Sequence, residues 1–264
     1  MRGRLFINPR SGSGSPGAEE LEAEARARGL DVHVVGEDDD IAALARDTEA
    51  EALGMAGGDG SLGLVAAAAI ERDLPFVCVP FGTRNHFARD LGLDRDDPVA
   101  ALDAFEGREQ RVDVGRVGEQ VFLNHVSLGV YAQLVHRRER RRSRREALAR
   151  ARALWATLRR RDNVIVSVDG DRVSAPVVLV ANNHYALDML SIGERERLDD
   201  GLLHLYAPNG LLRSSWDERT GTSFSIDSAG HRIEAAVDGE PAVLDSPLEF
   251  RIEPAALRVL LPPG

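Results

Sequence analysis

The feature that most constrains this chain is a change of periodicity near residue 110. Up to that point short apolar runs alternate with amphipathic runs of helical spacing. Strands are predicted over Arg4–Ile7, Val32–Val35, Ala52–Ala56 and Phe76–Val79, and helices over Gly17–Gly29, Asp40–Thr48 and Ser61–Arg72. A β-α repeat of this kind builds a parallel sheet with helices packed on it. Beyond residue 110 the pattern becomes period-two strands separated by turns: Arg111–Gly115, Val164–Val168 before Asp169-Gly170, Val177–Val180, Leu202–Tyr206, Ser223–Ile226 and Leu248–Ile252. The expectation is two domains, an α/β unit over 1–110 and an antiparallel β-sandwich over 111–264, with the last residues able to return to the first unit. A chain of 264 residues that is 43% hydrophobic is long enough to bury both cores.

Three glycine-rich or polar turns each follow a predicted strand: Asn8–Ser15, Gly57–Gly60 and Gly82–Asn85. All three fall at the carboxyl edge of a parallel sheet, where α/β proteins bind their ligands. In Gly57-Gly-Asp-Gly60 the glycines let backbone approach a phosphate, and the helix that follows offers unpaired N–H groups and a positive dipole end. Asp59 adds a carboxylate suited to magnesium or to polarising a nucleophile. The competing reading of this tetrapeptide is an ordinary tight turn. Thr83 and Asn85 supply neutral hydrogen-bonding groups at another helix start.

Composition removes several alternatives. All 33 basic residues are arginine, so no lysine exists to serve a Walker P-loop, a protein-kinase strand or a Schiff base. The formal charge of -10 argues against a polyanion-binding protein as a whole, and no nucleic-acid partner is expected. Cys78 lies in the apolar run Pro75–Pro80 and reads as a buried strand residue in a reducing compartment. The N-terminus enters a strand without an apolar leader, and no apolar stretch reaches the roughly 20 residues of a membrane span. A cytoplasmic protein is expected, with any membrane contact peripheral.

The triple set Asn8-Pro-Arg-Ser-Gly12, Gly57-Gly-Asp-Gly60 and Pro80-Phe-Gly-Thr-Arg-Asn-His-Phe-Ala-Arg89 resembles the catalytic domain of the diacylglycerol kinase and sphingosine kinase superfamily. Bacterial members carry N-P-x-S-G, G-G-D-G-T and P-x-G-T-x-N-D-F-A-R in this order. The resemblance continues through Arg111–Gly115, Phe122–Gly129, Leu198–Leu202 and Val237-Asp-Gly-Glu240. It implies an N-terminal fold like that of NAD kinase and phosphofructokinase, a C-terminal β-sandwich, and an ATP- and magnesium-dependent kinase acting on a diacylglycerol-like or sphingoid-like hydroxyl. Carried over by position, Gly57, Gly58, Asp59, Gly60, Ser61, Leu62, Gly63, Thr83 and Asn85 would bind ATP, with Asn8, Ser11 and Gly12 beside the phosphates. Asp200 would ligate a magnesium ion together with main-chain oxygens of Arg197 and Leu202. Either Glu240 or Asp238 would be the base that takes the hydroxyl proton, with Glu240 preferred. Read without the family, Asp238-Gly-Glu240 is a hairpin turn and Asp199-Asp200 a solvated one.

The sequence departs from that pattern in places. His86 stands where an aspartate is usual, Ser61 replaces threonine and keeps its hydroxyl, and Gly36 occupies the place of an ATP-contacting threonine. The other histidines, His33, His125, His136, His184, His204 and His231, show no metal-ligand spacing and read as structural. Two rivals remain at this point: a kinase of a soluble substrate, since NAD kinases share Asn-Pro and G-G-D-G, and a non-catalytic nucleotide- or lipid-binding homologue. The arginine-dense segment Arg137–Arg161 is expected to be helical, with Leu148, Ala151, Leu154, Trp155 and Leu158 forming an apolar stripe beside a basic face. It is expected to dock on anionic membrane; a solvated or dimer-forming helix is the alternative.

Overall fold

A computed structural model describes residues 2–11, 16–129, 163–188, 191–209 and 215–263. Gly12 and the Arg137–Arg161 segment lie outside the described residues. The chain begins with β1 (Gly3–Ile7), α1 (Ala18–Ala27), β2 (Asp31–Val34), α2 (Ile41–Asp47), β3 (Ala52–Gly57), α3 (Asp59–Glu71), β4 (Phe76–Pro80) and the short α4 (His86–Asp90). The four strands run parallel in the order β2-β1-β3-β4. β3 and β4 are buried throughout, as expected of strands covered on both faces. α1 ends where Gly29 takes φ +78°, a left-handed conformation that glycine adopts without strain.

The sequence places the start of α3 at Ser61, but the helix begins at Asp59 with Gly58 as its N-cap. Thus the last two residues of the Gly57–Gly60 turn already belong to the first helical turn. α3 is apolar on nearly all sides. Gly63, Val65, Ala66, Ala68 and Ala69 are small or compact, so the helix lies close to the sheet and is covered from its other side as well.

A 3-10 helix (Ala100–Glu106) leads into the second half: β5 (Arg108–Val117), β6 (Gln120–Phe122), β7 (His125–Gly129), β8 (Val164–Val168), β9 (Asp171–Ala175), β10 (Val177–Asn182), the small pair β11 (Leu187–Asp188) and β12 (Ser191–Ile192), β13 (Leu203–Asn209), β14 (Ser215–Gly221), β15 (Ser223–Ser228), β16 (Arg232–Val237), β17 (Glu240–Asp245) and β18 (Leu248–Leu261). One antiparallel sheet has the order β14-β13-β10-β7-β16-β17. Opposite it stand β15, β8, β9 and the first part of β18, in the same sheet as the parallel strands. Inward residues of both sheets, among them Val126, Leu128, Val180, Leu205, Phe122, Ile226 and Phe250, form a common core, with Phe122 and Phe250 edge to face at 6.3 Å.

β18 is longer than the predicted strand over Leu248–Ile252. Its register along β5 shifts between Glu253 and Leu257, where Ala255 adopts φ +52° beside Pro254. The strand then resumes and pairs parallel with β4, Val259 opposite Phe76. Pro254 reads in the sequence as a strand end, but a bulge absorbs it. One strand therefore ties the sandwich to the parallel sheet.

Candidate functional site

The turns after β1, β3 and β4 meet above the carboxyl edge of the parallel sheet. Asn8 is anchored by its backbone N–H to the Ala56 carbonyl at 2.9 Å, and its Nδ2 donates to Ser61 Oγ at 3.1 Å. Its Oδ1 accepts from the Arg10 N–H at 3.1 Å, and the Ser11 N–H bonds its carbonyl. Asn85 sits in the left-handed region (φ 49°, ψ 48°), where its amide clasps Gly82: Oδ1 accepts from the Gly82 N–H and Nδ2 donates to the Gly82 carbonyl, both at 2.9 Å. Thr83 is exposed beside it. The 82–85 turn lies directly on the 57–60 turn, since a Cβ on Gly82 would stand 2.6 Å from Gly58 Cα. Over Gly58 itself, by contrast, a Cβ would meet nothing within 4 Å. The N-terminus of α3 has no side-chain cap, so an uncapped helix end faces open space.

Asp59 binds these turns together. Its Oδ1 accepts from the Phe87 N–H at 3.0 Å and from Asn124 Nδ2 at 3.2 Å, and its Oδ2 from the His86 N–H at 3.2 Å. The carboxylate thus sits at the N-terminus of α4 and reaches across to the second half of the chain.

From that second half the β16–β17 turn enters. Asp238 (φ 48°) and Gly239 (φ 87°) make a two-residue hairpin turn with both central residues left-handed, the geometry that Asp-Gly favours. Asp238 points inward, accepting from the N–H groups of Leu123 and Asn124 at 2.8 Å and His125 at 3.1 Å. Its Oδ2 would lie 3.8 Å from a Cβ on Gly63. Glu240 leaves the turn on the exposed side and lies across Gly60, where an added Cβ would stand 2.0 Å from Glu240 Cγ and 2.8 Å from Oε1. The glycine-rich turn, α3 and the Asp238–Glu240 turn therefore meet at one place, at the carboxyl edge of the parallel sheet.

The diacylglycerol kinase catalytic domain model matches residues 2–117. A "Probable lipid kinase YegS-like" of Pseudomonas fluorescens Pf-5 is 30% identical over 282 residues, 92% of this chain and 91% of that protein. The chain belongs to the diacylglycerol kinase family of lipid kinases. A "Probable lipid kinase YegS-like" of Klebsiella pneumoniae 342 is 28% identical over 289 residues, 98% of this chain and 96% of that one. The crystal structure of a diacylglycerol kinase from Bacillus anthracis str. Sterne has the same fold, with a TM-score of 0.70 at 17% identity, covering 98% of this chain and 96% of that one.

Within this lipid kinase fold the two carboxylates of the hairpin differ in environment. Burial pushes Asp238 up to about 7, aided by the neighbouring Asp59 charge and opposed by the three N–H bonds that favour its ionised form. Glu240 is exposed. Burial also lowers the pKa of His86, with Arg89 and Arg84 acting in the same direction and Asp59 against it. His125 is taken down to about 3, chiefly by burial, and stays neutral. His86 contributes to the site through its backbone N–H on Asp59, which any residue but proline could supply.

The Leu198–Leu202 loop of this kinase is tightly tied. The Asp200 N–H donates to Asn183 Oδ1 at 2.9 Å, the Gly201 N–H to Asp113 Oδ2 at 2.7 Å, and the Leu202 carbonyl accepts from the Asn183 N–H at 3.1 Å. Asp200 Oδ2 lies 3.1 Å from His204 Nε2, whose Nδ1 lies 2.7 Å from Glu218 Oε1. The Arg197 side chain is engaged with Asp199. Among the described residues no three His, Cys, Asp or Glu side chains are placed to hold a metal. One carboxylate plus main-chain oxygens is nonetheless a donor set that fits magnesium, which keeps several of its waters. Asp200 would then be shared with, or taken from, His204.

Sequence reasoning passed over Asn124, Arg195, Asp90 and Asp113, all of which support the site from behind. Asp113 was detectable as a carboxylate between Val112 and Val114 in an apolar strand; it accepts from Gly201 and Ala255 and so fixes both the loop and the β18 bulge.

Proposed function

We propose that this kinase transfers the γ-phosphoryl group of ATP, with magnesium, to a hydroxyl of a diacylglycerol-like or sphingoid-like lipid. The observation that carries the reading is the placement of the Glu240 carboxylate directly over the N-terminal turn of α3. A polyphosphate fits at the uncapped α3 end above Gly58, where backbone N–H groups and the helix dipole favour negative charge. Glu240, on the exposed side, is the base. It takes the lipid hydroxyl proton while the hydroxyl oxygen bonds the γ-phosphorus and the bridging β–γ P–O bond breaks, leaving ADP and a phosphorylated lipid. Magnesium would neutralise charge on the transferring phosphate. Asp59 and Asp238 hold the turns at the spacing this requires.

A lipid substrate asks for access to a bilayer. Among the described residues no helix is long and apolar enough to cross one. The Arg137–Arg161 segment, with twelve arginines against Glu139 and Glu146, is the proposed peripheral docking element on anionic membrane. Each arginine near such a surface is worth about 1 kcal/mol. Sedimentation with anionic liposomes at low salt should carry the protein down, and 0.5 M salt or glutamine at Arg140, Arg141, Arg142, Arg144 and Arg145 should release it.

The function is tested by labelled-phosphate transfer over diacylglycerol, monoacylglycerol, phosphatidylglycerol, ceramide, sphingosine and NAD, with products separated by thin-layer chromatography. Labelled lipid supports the reading. Label on NAD alone, or ATP binding without transfer, would replace it by one of the two rivals.

A further inference from the structure

Arg195 lies in Gly193-Glu-Arg-Glu-Arg197, a run that reads as a solvated charge cluster, yet its side chain is completely buried. The guanidinium touches three separate parts of the fold. Nε donates to Asp90 Oδ2 of α4 at 2.7 Å, Nη1 to the carbonyls of Leu123 and Asn182 at 2.6 and 3.1 Å, and Nη2 to Asn124 Oδ1 at 2.8 Å. Its Cζ lies 5.1 Å from the Tyr185 ring centre.

The segment gripped in this way holds both inward carboxylates of the site. Leu123 and Asn124 donate their backbone N–H groups to Asp238, and Asn124 Nδ2 donates to Asp59. A continuous chain therefore runs Asp90, Arg195, Asn124, Asp59. Its polarity is fixed by chemistry: arginine has only donors and a carboxylate only acceptors, so the Asn124 amide can satisfy both ends in one orientation alone.

We propose that Arg195 is a positioning residue for phosphoryl transfer, locking Asn124 and through it Asp59 and Asp238 to α4 of the nucleotide-binding half. The role rests on the kinase reading above. A purely structural ion pair could be exchanged for apolar side chains without loss of stability. This one could not be exchanged without leaving Asn124 Oδ1 buried without its donor and freeing the Asn124 side chain to shift away from Asp59. Misplacement of reacting groups by about 1 Å can cost about a hundredfold in rate.

The test is a comparison of kcat, KM for ATP and Tm in the full chain with the acceptor lipid that the wild type phosphorylates best. Arg195→Gln should lower both Tm and kcat, the latter about a hundredfold, with KM for ATP within about threefold. Arg195→Lys should not rescue it, because an ammonium cannot span Asp90, Asn124 and two carbonyls. The apolar exchange Asp90→Leu with Arg195→Met, which also takes a partner from Arg89, should recover part of the Tm lost in Arg195→Gln while kcat stays low. Recovery of kcat along with Tm reduces Arg195 to scaffold and overturns the proposal. Should the apolar pair not fold, a double-mutant cycle decides: Asn124→Ala should reproduce the kcat loss, and adding Arg195→Gln should lower kcat no further. Fully additive losses break the chain. An inactive wild type overturns the functional reading and the positioning role together, whereas an active wild type with a recovered apolar pair overturns the positioning role alone.

Discussion

Glu240 packs across Gly60, its Cγ only 2.0 Å from the point where a side chain at residue 60 would begin. The close approach explains why the third glycine of the turn has no Cβ although it already lies in α3, where alanine would be the better helix former.

Gly60→Ala should therefore separate stability from activity. Helix propensity favours the alanine by up to about 1 kcal/mol and offsets the cost of displacing Glu240 from Gly60, so Tm should change little. Turnover should fall at least about a hundredfold, as it should in Glu240→Gln, which keeps the shape and removes the base. Near-native turnover in both variants would remove Glu240 from the chemistry.

Asp59→Asn should behave differently from Glu240→Gln. From the sequence alone both substitutions are expected to spare the fold. In the structure, however, Asp59 accepts from three N–H groups, and an asparagine amide would set its own donors against at least one of them. Asp59→Asn should lower turnover by at least about a hundredfold and Tm together. An unchanged Tm with this variant would mean that the bonds at α4 contribute no net stability.

What was legible in the sequence is what lies on one continuous stretch. Strands followed by glycine-rich turns placed Gly57–Gly60 and Gly82–Asn85 at one edge, because the β-α repeat leaves them nowhere else to go. For Asp238-Gly239 the hairpin reading holds, and the left-handed turn is what aims Asp238 inward. Partnerships between distant buried polar residues could not be read. Arg195 and Asp90 are 105 positions apart, and each looks like an ordinary surface charge until packing brings them together. The long β18 was hidden for a similar reason: Pro254 ends a strand in any local reading, and it takes Asp113 and Arg111 on the neighbouring strand, both bonded to Ala255, to pin the bulge that lets it continue.

Magnesium binding at Asp200 should appear as stabilisation. An ion held only by the native state raises Tm by mass action, so millimolar magnesium should raise the wild-type Tm and chelator should reverse it. Asp200→Ala should abolish that response, and it should lower the metal-free Tm as well because His204 loses a partner. A magnesium response that survives Asp200→Ala would place the ion elsewhere.

Asp238 and His125 should give pH dependences of opposite sign within overlapping ranges. Asp238 has its folded pKa raised to about 7 from the ordinary 3.8 of an aspartate, so between those values the folded state holds more protons than the unfolded one. Its contribution to stability is therefore greatest in acid, is lost as pH rises from about 4 to 7, and is level above that. The Tm difference between wild type and Asp238→Asn should fall across that range. His125 is the reverse: its folded pKa drops to about 3 from 6.5, because burial and the nearby His86, Arg195 and Arg84 charges all oppose protonation. Its contribution is complete above about pH 6.5 and is lost as pH falls, so the difference between wild type and His125→Phe should shrink toward acid. Thermal melts of the three proteins from pH 4 to 8 give both curves. Two parallel slopes would contradict the assigned burial of these groups, and an acid limb in kcat near pH 7 would move the role of base from Glu240 to Asp238.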